Sequence, residues 1–163
     1  MKLLSLAVDG LERAHKDGLV TWACQQNADV ICLQDTQCSE YSLSSNDFFP
    51  EGYHAYFGDN YDDPKINGVA IYCRKMPKAI MFGLGFMDFD HLGIYIQADY
   101  ESCSIGSILV PSAVGARGDK ALKMRFLTQL GAHLEKVRNK KRDFILCGGW
   151  ELAWQPRDAE EAG

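Results

Sequence analysis

The chain has 163 residues, 47% of them hydrophobic and 24% charged, with a formal net charge of -5. This composition excludes a disordered polymer, and no apolar run reaches the roughly 18 residues that a membrane-spanning helix needs. The acidic balance also excludes a protein that holds phosphate backbones through global positive charge, so any nucleic-acid contact has to come from a local patch or a partner.

The first apolar stretch, residues 2–8, alternates and ends in the Asp9-Gly10 turn, which predicts a strand. It lacks the long apolar region of a secretory signal. Residues 11–26 carry Leu11, Ala14, Leu19, Trp22 and Ala23 at loosely helical spacing, with Gly18 as a weak point. Asp29 to Leu33 is a short continuous apolar run, the pattern of a strand buried on both faces. Strand, helix and strand over about thirty residues make a βαβ unit.

Two polar stretches follow, 38–52 and 59–67, and read as loops. Strands are predicted at 54–58, 68–74, 79–83, 93–99 and 103–110, separated by turn residues in an antiparallel arrangement. The strongest helical pattern covers 118–138, with Leu122, Met124, Phe126, Leu127, Leu130 and Leu134 giving an apolar stripe. Phe144 to Cys147 is a last buried strand.

The expected architecture is α/β: one mixed β-sheet with both long helices on one face, a single truncated domain spanning 1–163. The other face would then be apolar and bare, and such faces mark interfaces. Self-association through that uncovered sheet face is the expected partner contact.

The six cysteines form no Cys-x-x-Cys pair and have no His at zinc-finger spacing. They are expected to be reduced, structural thiols in a cytoplasmic protein.

Five stretches occur in an order that resembles the exonuclease III branch of the endonuclease/exonuclease/phosphatase superfamily. They are Ser5 to Leu11, Ala28 to Thr36, Gly52 to Tyr56, Gly68 to Arg74 and Ile145 to Gly148. The resemblance covers essentially the whole chain and implies half of a four-layer α/β sandwich of the DNase I-like kind. It implies Mg²⁺-dependent phosphodiester chemistry, in which carboxylates hold the metal and an acid–base pair moves the protons.

The residues at the implied catalytic positions are mostly changed. The first-motif Asn is Ala7, the active-site Tyr is Leu109, and the late Gly-Asp-x-Asn reads Gly148-Gly149-Trp150-Glu151. Ala7, Leu109 and Gly149 thus mark lost positions, and each loss typically costs on the order of 100-fold or more in rate. Asp35 replaces the metal-binding Glu, and Asp9 and Glu151 are the other acids in the motifs. Asp9, Asp35 and Glu151 form either a remnant Mg²⁺ site or a set of solvated acids.

The same substitutions, with Gly83 to Phe86, Tyr95 to Tyr100 and Leu109 to Ser112, resemble the catabolite repression control branch of the superfamily. That branch is non-enzymatic and acts on RNA with the RNA chaperone Hfq. The leading expectation is therefore a non-catalytic regulatory factor that binds RNA or protein. One alternative is a metal-dependent phosphodiesterase of the exodeoxyribonuclease III or abasic-site endonuclease type in DNA repair. Another is a dimerising interaction module.

Arg138, Lys140, Lys141 and Arg142 read either as a nucleic-acid-binding patch or as a solvated helix end. Lys120, Lys123 and Arg125 extend the patch reading. Trp150 and Trp154 read as base-stacking platforms or as core.

Overall fold

The computed structural model describes residues 1–116 and 118–152. Trp154 and the acidic stretch 158–163 lie outside the described residues.

Among the described residues eight strands form two four-stranded sheets. The first contains β1 (Leu3–Ala7), β2 (Val30–Gln34), β3 (His54–Gly58) and β4 (Val69–Cys73), in the order β1-β2-β4-β3. The second contains β5 (Ala79–Phe82), β6 (Tyr95–Asp99), β7 (Cys103–Leu109) and β8 (Asp143–Gly149), in sequence order. From β1 inward the pairings run parallel, antiparallel, antiparallel. From β8 inward they repeat that pattern.

The expectation of one mixed sheet with a bare face is corrected here. The two sheets pack face to face, so the face of the first is covered by the second. Alternation within the strands decides the sides. Val30 and Cys32 of β2 and Val69, Ile71 and Cys73 of β4 join the core shared with Ile96, Ala98 and Ile105 of the second sheet. Ile31, Leu33, Ala70 and Tyr72 point the other way, onto Leu11, Val20 and Ala23.

Those last three residues belong to α1 (Leu11–Lys16) and α2 (Leu19–Gln25), which cover the outer face of the first sheet. The expected single helix over 11–26 is broken at Gly18, which adopts φ 87°. The long helix α3 (Lys120–Arg138) packs Phe126 and Leu130 against the second sheet. Asp119 caps it, its side chain accepting from Leu122 N at 2.9 Å. The helices therefore lie on opposite outer faces, giving four layers and not two.

One polar network crosses the core. Gln34 of β2, 1% exposed, donates from Nε2 to Ser107 Oγ of β7 at 2.9 Å. Ser107 Oγ donates in turn to Leu33 O at 3.0 Å, and Ser5 Oγ of β1 donates to Gln34 Oε1 at 3.3 Å. Every member has a partner, so the network fixes the sliding register of one sheet on the other at little cost.

Candidate active site

β1, β2, β7 and β8 all end at one pole of the sandwich. Ala7 pairs with Gln34, and Leu109 pairs with Gly149. A Cβ built on Gly149 would stand 3.9 Å from Gln34 Cβ and 3.1 Å from Leu109 Cδ1. The three lost positions, which lie far apart in sequence, thus meet in one place at the mouth of the inter-sheet space. The fold has kept the site and changed its contents: a methyl group, a leucine and a glycine now line it, beside the Gln34 amide.

One step further out, the chain adopts unusual backbone. Asp9 (φ 45°), Asp35 (φ 59°), Gln37 (φ 52°), Asn67 (φ 60°) and Glu151 (φ 51°) are left-handed without being glycine. Each such residue costs about 1 kcal/mol or more, and all five flank the strand ends at this pole. Backbone bonds hold the turns in place: Gly10 N donates to Asp35 O at 2.9 Å and Gln37 N to Asn67 O at 2.7 Å. Gly68, at φ 94°, passes so close to Thr36 that a Cβ would lie 2.3 Å from Thr36 Oγ1.

Asp9 and Asp35 do come together. The Gln37 side chain joins them, its Nε2 donating to Asp9 Oδ1 at 3.0 Å and to Asp35 Oδ2 at 3.1 Å. Arg13 donates to the other Asp9 oxygen and to the Asp9 carbonyl. The Arg13 hydrogen bond holds the Asp9 carboxyl below its ordinary range, helped by Gln37.

Glu151 is exposed, and its carbonyl accepts from the ammonium of Lys123. Among the described residues no three His, Cys, Asp or Glu side chains form a cluster able to hold a metal ion. Asp9, Asp35 and Glu151 are therefore not one ligand set. The Asp9 oxygens face the Gln37 amide and Arg13, donors that serve a carboxylate and not a cation. The residues present do not fit the Mg²⁺ site that the resemblance implies.

The basic cluster is also redistributed. Arg142 is partly buried and donates to Tyr100 O at 2.7 Å and Cys103 O at 2.9 Å, closing the turn between β6 and β7. Arg138 pairs with Glu135 at 3.2 Å, and Lys140 lies over the Phe144 ring. Lys141 is exposed, and among the described residues it makes no hydrogen bond or ion pair. Lys123 is 8% exposed and packs under the segment after β8, so it does not extend a surface patch. Trp150 is half-buried against the core that α3 covers, as its core reading requires.

Gln37 and Asn67 escaped the sequence reading. Asn67-Gly68 was open to detection as a turn dipeptide that tolerates left-handed backbone. Gln37 carries no such signal, because its role rests on two carboxylates brought from different strands.

Residues 8–150 match the endonuclease/exonuclease/phosphatase family. The chain is 30% identical over 161 residues to the DNA repair nuclease APEX1 of Danio rerio, a match covering 97% of this chain and 51% of that protein. It is 31% identical to the DNA-(apurinic or apyrimidinic site) endonuclease of Dictyostelium discoideum, covering 94% and 42%. It is 28% identical to an exodeoxyribonuclease of Bacillus subtilis, covering 97% and 61%. The chain thus spans about half the length of these relatives.

Among solved structures, an AP endonuclease from Archaeoglobus fulgidus superposes with a TM-score of 0.81 at 24% identity, covering 96% of this chain and 59% of that one. The 3'-5' exonuclease NExo from Neisseria meningitidis superposes with a TM-score of 0.75 at 19% identity, covering 91% and 57%. These likenesses concern the fold. Together with the family match over most of its length and the gathering of the motif positions at one pole, they make this chain a member of the endonuclease/exonuclease/phosphatase family.

Proposed function

We propose that the chain is a non-catalytic member of its family, a regulatory factor that binds RNA or protein in the manner of the catabolite repression control branch. One observation carries this reading. The four residues gathered at the site are Ala7, Gln34, Leu109 and Gly149; only Gln34 keeps a polar group, and none supplies a base, a carboxylate for a metal or an acid for a leaving group. The carboxylates that remain nearby face Gln37 and Arg13. In this reading the RNA chaperone Hfq and RNA are the partners, and the compartment is the cytoplasm.

The test is cleavage of abasic-site duplex and single-stranded RNA with Mg²⁺ or Mn²⁺. The expected result is no product above the protein-free control. Robust cleavage that Asp35→Ala removes overturns the reading. Retardation of an RNA–Hfq complex by added chain is the positive counterpart.

A second reading is a repair-type phosphodiesterase, and the comparisons favour it. The relatives matched over 94–97% of this chain are named as a DNA repair nuclease, an abasic-site endonuclease and an exodeoxyribonuclease. In that reading Asp35 and Glu151 would be the rebuilt metal ligands. A Mg²⁺ titration followed by calorimetry separates the two: heat at millimolar metal, lost in Asp35→Ala, supports the phosphodiesterase.

A further inference from the structure

The second sheet and α3 hold a cavity of about 90 Å³ between them. Every residue lining it falls between Met81 and Phe144, so sheet and helix build it together. Asp99, Ser104 and Phe144 are register neighbours on β6, β7 and β8 and form its floor. His133 of α3 and Lys140, just past the end of that helix, line it with them. Arg142 joins them from the start of β8. The cavity lies at the opposite pole from Leu109 and Gly149, since Ser104 and Leu109 stand roughly 17 Å apart along β7. Its volume is several times the roughly 10–15 Å³ that one water needs, which is the scale of a single small oxyanion.

Its polar groups are left with unused bonds of both kinds. Arg142 spends Nη2 on Tyr100 O and Cys103 O, but its Nε is buried and has no partner among the described residues. No carboxylate among them pairs with it either. A buried donor on a permanent charge is costly to leave unpaired. Lys140 Nζ lies 5.8 Å from the centre of the Phe144 ring and Arg142 Cζ 5.9 Å from the same point, so two cations share one ring. One acid stands against them. Asp99 Oδ1 accepts from Gln97 Nε2 at 2.8 Å and from Ser104 Oγ at 2.5 Å, while Oδ2 accepts from no described residue. His133 is held below its ordinary range by burial and by Lys140 and Lys136, so it is neutral at pH 7. The lining therefore carries a net charge of about one positive unit. An ionised carboxylate can only accept a hydrogen bond. A ligand that satisfies the cavity must bring negative oxygens for Arg142 and Lys140 and a proton for Asp99.

We propose that this cavity is a binding site for inorganic phosphate, taken as hydrogenphosphate: Arg142 Nε and the Lys140 ammonium donate to its oxygens, and its P–OH donates to Asp99 Oδ2. Charge-assisted bonds of this kind are the strong ones. Asp99 then acts as the selector. Sulfate has the same shape but no proton at neutral pH, so it sets an oxygen lone pair against the carboxylate. A phosphodiester also lacks the proton, which excludes a nucleic-acid backbone from this site. The site does not depend on whether the pole at Leu109 and Gly149 cleaves a phosphodiester.

Calorimetric titration of the 163-residue chain with sodium phosphate, and separately with sodium sulfate at matched ionic strength and neutral pH, tests it. Phosphate is expected to saturate one site per chain, and sulfate to bind on the order of tenfold more weakly or not at all. Lys140→Ala alters an exposed position, so the fold is kept, and it should weaken phosphate binding on the order of tenfold. Lys65→Ala, an exposed lysine outside the cavity lining, should leave binding unchanged. Asp99→Asn keeps an oxygen for Gln97 and Ser104 and turns the selector into a donor, so sulfate should then bind about as well as phosphate. The sulfate comparison and Lys140→Ala carry the test even if Asp99→Asn disturbs the fold. Absence of phosphate binding overturns the proposal. Equal binding of sulfate by the unsubstituted chain, or phosphate binding that Lys140→Ala leaves in place, overturns it as well.

Discussion

Leu109 closes over Gly149: their backbones are paired, and a Cβ on Gly149 would lie 3.1 Å from Leu109 Cδ1. Position 149 is where the family resemblance places a catalytic aspartate, so restoring Asp there is the obvious repair. The packing argues that it fails on two counts. Leu109 has to give way, and overpacking of this kind costs about 1–3 kcal/mol. Gln34, whose Cβ would lie 3.9 Å from the new one, already uses its amide on Ser107 and Ser5. Gly149→Asp is expected to lower the urea midpoint and to give no cleavage of abasic-site duplex. Cleavage restored by this single change would show that Leu109 and Gln34 are not obstacles.

The basic cluster separates into a structural and a surface part. Arg142 donates to two carbonyls of the β6–β7 turn; its removal takes the side-chain donor from Tyr100 O, while Cys103 O keeps the bond from Tyr100 N. Arg142→Ala should cost about 1–3 kcal/mol in chemical denaturation. Lys141→Ala changes an exposed side chain and should stay within about 0.5 kcal/mol. Equal effects of the two substitutions would contradict this division. A loss of RNA retention in Arg142→Ala has to be read against its loss of stability.

The sequence made most elements legible and left their layering ambiguous, for a physical reason. A strand such as Val30 to Gln34 is apolar on both faces, and that pattern is the same whether a helix or a second sheet lies on the far side. The choice was settled by Gln34 and Ser107, two polar residues 73 apart whose pairing cannot be read from spacing. The lost catalytic positions were legible one by one, because each sits within a motif. That Gln37 would link Asp9 to Asp35 was not, since it depends on left-handed turns at three separate residues. Arg142 was misread for a related reason: a cation at a helix end looks solvated until the turn it closes is known.

The inter-sheet network should matter more than its two side-chain bonds suggest. Ser107 is fully buried and both accepts from Gln34 and donates to Leu33 O. Ser107→Ala leaves the Gln34 amide without its acceptor in a dry core, a cost of about 1–3 kcal/mol. Adding Gln34→Leu removes the stranded amide. The double variant is then expected to be more stable than Ser107→Ala alone, a reversal that denaturation midpoints would display. Simple additive losses would mean that water reaches the network.

Cys147 offers a reporter on the same interior. Its thiol is lowered from its ordinary range to about 7 by the hydrogen bond from Cys32, against the opposing effect of burial. Cys32 moves the opposite way, raised first by that bond and then by burial. The pair therefore loses its first proton from Cys147, whose thiolate accepts the bond that Cys32 donates. A lowered value means that thiolate is present above pH 7, where an ordinary thiol is still mostly protonated. Alkylation of Cys147 by iodoacetamide, read by peptide mass, is expected to reach half its plateau rate near pH 7. Cys32→Ala removes the donor, and the midpoint should rise toward the ordinary value of about 8.5. A midpoint already at the ordinary value in the unsubstituted chain, or one that Cys32→Ala leaves in place, would show that the two thiols do not share a proton across the sheets.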